Sequence, residues 1–302
     1  MASATQEKLD LALLQDRENH AAQEAARRRG RFGWFFWLPT AWLSAIIFCA
    51  VFADLLPLMP NDEMDFLSLG APPRATEEHL LGTDLQGRDI LSRVLYGARV
   101  SLTVGVVATG IGMTFGLMIG LLAGYYRGRI ETSFNLIIDT VLAMPGLVVL
   151  LLASVIFGGS LTIVSLSLGV LLIPPFARIS RANTLNFAQR EFVVAAKAMG
   201  ARDLRIIVME ILPNVVLPVA AYALVLVAAA IVIEGSLSFL GLSVPSPTPS
   251  WGGMIAEGRE NLEDSPHVSF IPAAFMFLTV LSFNLVGDAL RSKLADLRES
   301  AL

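Results

Sequence analysis

Three carboxylates, Asp139, Glu234 and Asp288, fall within or at the edge of long apolar stretches. A carboxylate in hydrocarbon is costly, so such groups face a bundle interior or water. There they can line a polar path, pair structurally, or relay protons. A relay needs a chain of partners, and the sequence offers none. Asp139 and Glu234 are the candidate path-lining residues, with a structural pair or an interfacial helix-end position as the alternative; Asp288 sits closest to the inner end of its stretch. Other reactive chemistry is sparse. The single cysteine, Cys49, lies among apolar residues, and His20, His79 and His267 are scattered, which gives neither a disulfide nor a metal site. No Gly-rich phosphate loop ending in Lys-Ser/Thr, zinc-protease motif or nucleophile elbow is present. The chain reads as non-catalytic, with no cofactor of its own.

A second constellation is the stretch EFVVAAKAMGARDLRIIVMEILPN, from Glu191 to Asn214. Ala195, Ala196, Ala198 and Met199 favour helix. Gly200 suits the left-handed residue that ends a helix. Asp203 is expected as the N-cap of a second helix beginning near Leu204, and Pro213 marks the approach to the next apolar stretch. A helix–Gly–helix hairpin with small alanines on one face can lie close against another protein, where Lys197, Arg202 and Arg205 can meet acidic groups.

The elements that position these residues follow from composition. Of the 302 residues 55% are hydrophobic and only 16% charged, against about 25% charged in soluble domains. The net charge of −4 gives no case for nucleic acid binding. Six windows have the roughly 20 apolar residues that a spanning helix needs: about 34–56, 100–125, 134–157, 161–176, 215–240 and 270–290. The fourth is short and is expected to end at Pro174-Pro175, and Pro145 is expected to kink the third. The polar start, running to Arg31, does not have the form of a cleaved signal; it is expected as a cytoplasmic tail over 1–33, with a short helix over 7–26 or a plain polar extension. With that tail inside, 17 of the 22 lysines and arginines fall in inner segments, which places both termini in the cytoplasm. The segment 178–214 is then the longest inner connection. Outside, Asp84, Arg88, Asp89 and Arg93 stand at helical spacing, as surface ion pairs or as a docking site for another protein. Gly112, Gly116 and Gly120 share one helix face, as close helix packing requires.

The hairpin resembles the cytoplasmic EAA loop of ABC-importer permeases, with Ala195, Ala196, Gly200, Leu212 and Pro213 at the pattern's positions and both gaps of the right length. Val194 stands where the pattern has Glu, and Glu210 where it has Ile. HLLGTDLQGRDILSRVLYGARVSL (His79 to Leu102), EGSLSFLGLSVPSPTPSWGGMI (Glu234 to Ile255) and NLVGDALRSKL (Asn284 to Leu294) are similar to segments of the dipeptide, oligopeptide and nickel permeases, C-type subunit. The likeness covers roughly residues 33–294.

The resemblance implies an all-α integral membrane protein with the type I importer fold: a six-helix permease domain over 34–294 and a short tail over 295–302. It implies a second homologous permease, two cytoplasmic ATP-binding subunits that hold ATP and magnesium, an extracytoplasmic solute-binding protein, and a bacterial or archaeal cytoplasmic membrane. The coupling loop would comprise Ala195, Ala196, Lys197, Gly200, Arg202, Asp203, Leu212 and Pro213, and the solute would be a di- or oligopeptide. An ion-gradient-driven transporter or channel is the alternative; it predicts inverted repeats and leaves 178–214 unexplained.

Overall fold

The computed structural model describes residues 33–75 and 78–299, the side chains of 295–299 excepted. The expected tail helix over 7–26 lies outside the described residues. The helices are α1 (Trp34–Val51), α2 (Ile90–Tyr126), α3 (Gly128–Ala143), α4 (Gly146–Phe157), α5 (Leu161–Phe187), α6 (Glu191–Ala198), α7 (Asp203–Phe239), α8 (Trp251–Gly258) and α9 (His267–Glu299). Five of them, α1, α2, α5, α7 and α9, are long and apolar enough to cross a membrane.

The frame is the α2–α5 pair. Cβ atoms placed on Gly112, Gly116, Gly120 and Gly124 would fall 2.6, 2.4, 2.4 and 2.7 Å from the Cβ atoms of Leu172, Phe176, Ser180 and Thr184. Four glycines four residues apart thus meet four residues four apart, with the backbones in the close approach that small residues permit. Both series ascend together, so α2 and α5 run parallel. The end of α2 and the start of α5 therefore lie at opposite ends of the bundle, and the intervening α3 and α4 must carry the chain across. Their axes differ by 77°. Rods of 16 and 12 residues at 1.5 Å per residue and that angle span about 33 Å in total, enough for a bilayer core of roughly 30 Å. The pair is a sixth, broken span. Six crossings put the two ends of the described chain on the same side.

The sequence expectations shift in four places. The third window is two helices, because Pro145 stands at the break with Met144 in extended conformation. The fourth does not stop at Pro174-Pro175: α5 continues to Phe187. A proline in a membrane helix is tolerated when neighbours hold the freed backbone, and here Leu172 and Phe176 on either side are pinned in the glycine seam. The second helix starts at Ile90, ten residues earlier than expected, because Asp89 Oδ2 accepts the Ser92 N–H at 2.7 Å and caps it. Likewise α9 continues beyond residue 294 into the expected tail.

One apolar core lies between α2, α5, α7 and the hairpin, with Leu121, Leu172, Phe176, Val193, Ile206, Ile211 and Val215 buried in it. A second joins α1, the start of α2, α7, α8 and α9 around Ile90, Val94, Ile231 and Trp251. Residues 53–75, 78–89 and 241–266 form a cap at the end opposite the hairpin. The cap is held by ions rather than by surface pairs. Asp84, Arg88, Asp89 and Arg93 are all 5% exposed or less. Arg88 meets Asp84 at 2.6 Å, and Arg88 and Arg93 each meet Glu257 of α8 at 2.9 Å. The expected helical register is wrong because Asp84 Oδ1 accepts the N–H groups of Gln86 and Arg88 in a turn ahead of the helix.

Candidate functional site

The hairpin begins where α5 ends. Arg190 stands before α6, Glu191 lies in its first turn and Lys197 in its last, the charge order that suits a helix dipole. Gly200 has φ +80°. Its N–H bonds to the Lys197 carbonyl and that of Ala201 to the Ala196 carbonyl, both at 3.0 Å. This is the reciprocal pair of a Schellman cap, so the expected glycine stop is present. The expected Asp203 cap is not: Arg202 occupies the cap position without a side-chain bond, and Asp203 is the first helical residue. Its carboxylate instead accepts the Tyr125 hydroxyl of α2 at 2.7 Å.

Between Ile206 and Ile211 the helix widens to a π register, with the Leu212 N–H returning to the Ile207 carbonyl. Pro213 follows one residue later and has no N–H to give. A bulge ahead of a proline relieves its clash with the preceding turn. The wider turn also sends Ile206, Ile207 and Ile211 inward together; all three are buried. Glu210 lies inside this segment, so one of the two residues that depart from the pattern occupies the bulge.

The hairpin is asymmetric in burial. Val193 and Ala196 face the core; Val194, Ala195, Ala198, Met199 and Leu204 face out. Met199 is 82% exposed and Leu204 71%. Exposed Lys197, Arg202 and Arg205 surround them, Leu212 is half-buried and Pro213 exposed. A contiguous apolar patch with a polar rim marks an interaction surface, and the cationic rim suits an acidic border on the partner. Val194 adds to the apolar centre. Lys197 Nζ also lies 4.8 Å from the Tyr125 ring centroid, a cation–π distance. Sequence reading missed Tyr125, because an aromatic residue at the end of an apolar stretch reads as an interfacial anchor.

Asp139 and Glu234 are unlike each other, and their partners lie outside this surface, on α5 for Asp139 and on α2 and the cap for Glu234. Asp139 on α3 is exposed and pairs with Arg178 of α5 at 2.5 Å. A second pair, Glu131 with Arg181, ties the same two helices. Glu234 on α7 is fully buried. It accepts hydroxyl bonds from Ser101 at 3.0 Å and Ser243 at 3.1 Å, while Ser238 and Ser250 bond to each other beside it at 2.7 Å. In this conformation Glu234 touches no open surface and joins α2, α7 and the cap. Near the cap, α8 and the 239–250 segment enclose an open cavity of about 610 Å³ lined by Arg93, Glu257 and Arg259. Among the described residues no group of three His, Cys, Asp or Glu is placed to hold a metal ion.

Residues 116–296 match the family model described as the binding-protein-dependent transport system inner membrane component. The chain is 38% identical over 252 residues to the glutathione transport system permease protein GsiD of Pectobacterium atrosepticum, covering 83% of this chain and 82% of that one. It is 39% identical over 250 residues to the protein of the same name from Escherichia coli, covering 82% of each. In fold it resembles a chain of the inward-facing MetNI methionine ABC transporter (TM-score 0.56, 18% identity, 67% of this chain and 96% of that one). It also resembles a chain of an amino acid ABC transporter with histidines (TM-score 0.50, 20% identity, 70% and 95%).

Proposed function

The chain belongs to the family of binding-protein-dependent transport system inner membrane components, and from that premise we propose that it imports a small peptide by alternating access. It is a multi-pass membrane protein and a non-catalytic permease subunit of an ABC importer; ATP hydrolysis is the work of separate subunits. A second homologous permease completes the path. Two cytoplasmic ATPase subunits, which hold ATP and magnesium, engage the hairpins, and a solute-binding protein delivers its load to the cap side of a bacterial inner membrane. The observation that carries the reading is the exposed apolar face of Ala195, Ala198, Met199 and Leu204, rimmed by Lys197, Arg202 and Arg205 at the end of the bundle opposite the cap. The two ends of the described chain on that same side agree with the lysine and arginine bias, from which that side is proposed as cytoplasmic. Asp139 beside Arg178 is proposed to line the inner part of the path. Glu234 is proposed to line the outer part only when the cap opens and the serines release it.

The solute is proposed from the relatives: their names specify glutathione, a tripeptide. Co-expression of the tagged chain with its neighbouring genes, followed by purification and an ATPase assay, tests the reading. Recovery of a second permease and two ATPase subunits, with activity raised by a glutathione-loaded binding protein, is expected. Recovery of the intact chain alone, with no ATPase activity, overturns it.

A further inference from the structure

We infer that Tyr125 is the residue that transmits movement of the hairpin to the spanning helices, a positioning role that rests on the coupling reading above. The hairpin is held to its own subunit in two ways. Val193, Ala196, Ile206, Ile207 and Ile211 plug into the core, a non-directional attachment that permits sliding. The directional attachment is Tyr125. Its hydroxyl donates to Asp203 at 2.7 Å and its ring lies under the Lys197 ammonium at 4.8 Å. Lys197 belongs to the last turn of α6 and Asp203 to the first turn of α7. One side chain therefore grips both limbs of the hairpin, on either side of the Gly200 turn.

The other end of the link is rigid. Tyr125 lies in the last turn of α2, next to Gly124, the final member of the seam; a Cβ there would fall 2.7 Å from Thr184 Cβ. A rotation of the hairpin reaches Tyr125 through a charge-assisted hydrogen bond and a cation–π contact, both sensitive to direction. From there it reaches α2 and α5 as one body. Without Tyr125 the apolar plug remains, so the hairpin folds and docks, but its rotation slips against the bundle. Tyr125→Phe removes the bond to Asp203 and keeps the ring; Tyr125→Ala removes both.

The test uses the complete complex in proteoliposomes, with the binding protein and labelled glutathione as the probe. Three quantities are read: ATPase subunits recovered with the chain, ATP hydrolysed, and glutathione taken up. A hydrogen bond to a charged acceptor corresponds to about a tenfold change in an equilibrium. Tyr125→Phe is expected to lower uptake per ATP by about that factor, and Tyr125→Ala by more. Recovery of the ATPase and hydrolysis without binding protein stay as in the parent. Tyr126→Phe, one residue away, is the control and keeps the parental ratio. An unchanged ratio in Tyr125→Ala overturns the inference, as does a fall explained wholly by lost ATPase subunits. Failure of the underlying reading looks different: Met199→Cys, combined with Cys49→Ala, would then give no cross-link to the ATPase even with Tyr125 intact.

Discussion

Replacing Gly116 by alanine adds one methyl group at one of the two closest approaches of the α2–α5 seam, the other being Gly120. The new carbon would lie 2.4 Å from Phe176 Cβ and 2.7 Å from the Ile173 carbonyl oxygen. Carbon atoms rest at about 3.7 Å, so the helices must part locally by about 1.3 Å. Neither obstacle can swing away, since one is a Cβ and the other backbone. Overpacking of this kind costs about 1–3 kcal/mol, and alanine's better helix propensity returns up to about 1. Gly110→Ala supplies the comparison: it lies on the same helix with nothing within 4 Å of the added carbon. That variant gains the propensity without the clash. The two should differ by about 1–3 kcal/mol, read as a midpoint several degrees lower for Gly116→Ala in thermal unfolding of the purified complex, followed by size-exclusion chromatography. Equal midpoints would refute the seam as the frame of the fold, and with it the parallel register from which the sixth span was deduced.

Three other outcomes are expected. Gly200→Val meets no steric obstacle but must adopt φ +80°, at a cost of about 1–2 kcal/mol. The turn is expected to reorient and uptake per ATP to fall, and unchanged coupling in the transport assay would count against the hairpin's role. Glu257→Ala removes the acceptor shared by Arg88 and Arg93 and should cost about 3 kcal/mol, the lower end for a broken buried pair, because Asp84 remains; limited proteolysis of the cap reads this out. Glu234→Gln keeps an acceptor for a serine hydroxyl, whereas Glu234→Ala leaves Ser101 and Ser243 unmatched, at about 1–3 kcal/mol. Loss of uptake in Glu234→Gln at unchanged stability would instead give the carboxylate a direct part in the path.

The spans were legible because hydropathy needs only a run of residues, and Gly112, Gly116 and Gly120 announced their spacing. The glycines could not name their partner, because Leu172, Phe176 and Ser180 carry no signature of their own. The Gly200 turn was legible from local chemistry alone. The Asp203 cap was not, since Tyr125, 78 positions away, competes for the same carboxylate. Distance in sequence also hid Glu257 from Arg88 and Arg93, leaving a buried network to look like a surface charge run. The double proline of α5 misled for a related reason: proline breaks a helix in water, and only the packed seam shows why this one continues.

The break between α3 and α4 has a further consequence. Neither rod, at about 24 Å and 18 Å, crosses the hydrocarbon alone, so Met144 and Pro145 sit at depth, and Leu142 to Val148 are exposed on this subunit. Of the last carbonyls of α3, that of Val141 takes the Met144 N–H at 3.2 Å, but Pro145 has no N–H to give the next, and acyl chains cannot supply one. Non-helical backbone survives at that depth only against protein or a wetted cavity. The kink thus breaks the symmetry of the subunit's perimeter: one side can be solvated by lipid and this one cannot. In a bilayer the subunit is an incomplete solute until something hydrated or proteinaceous closes over Pro145.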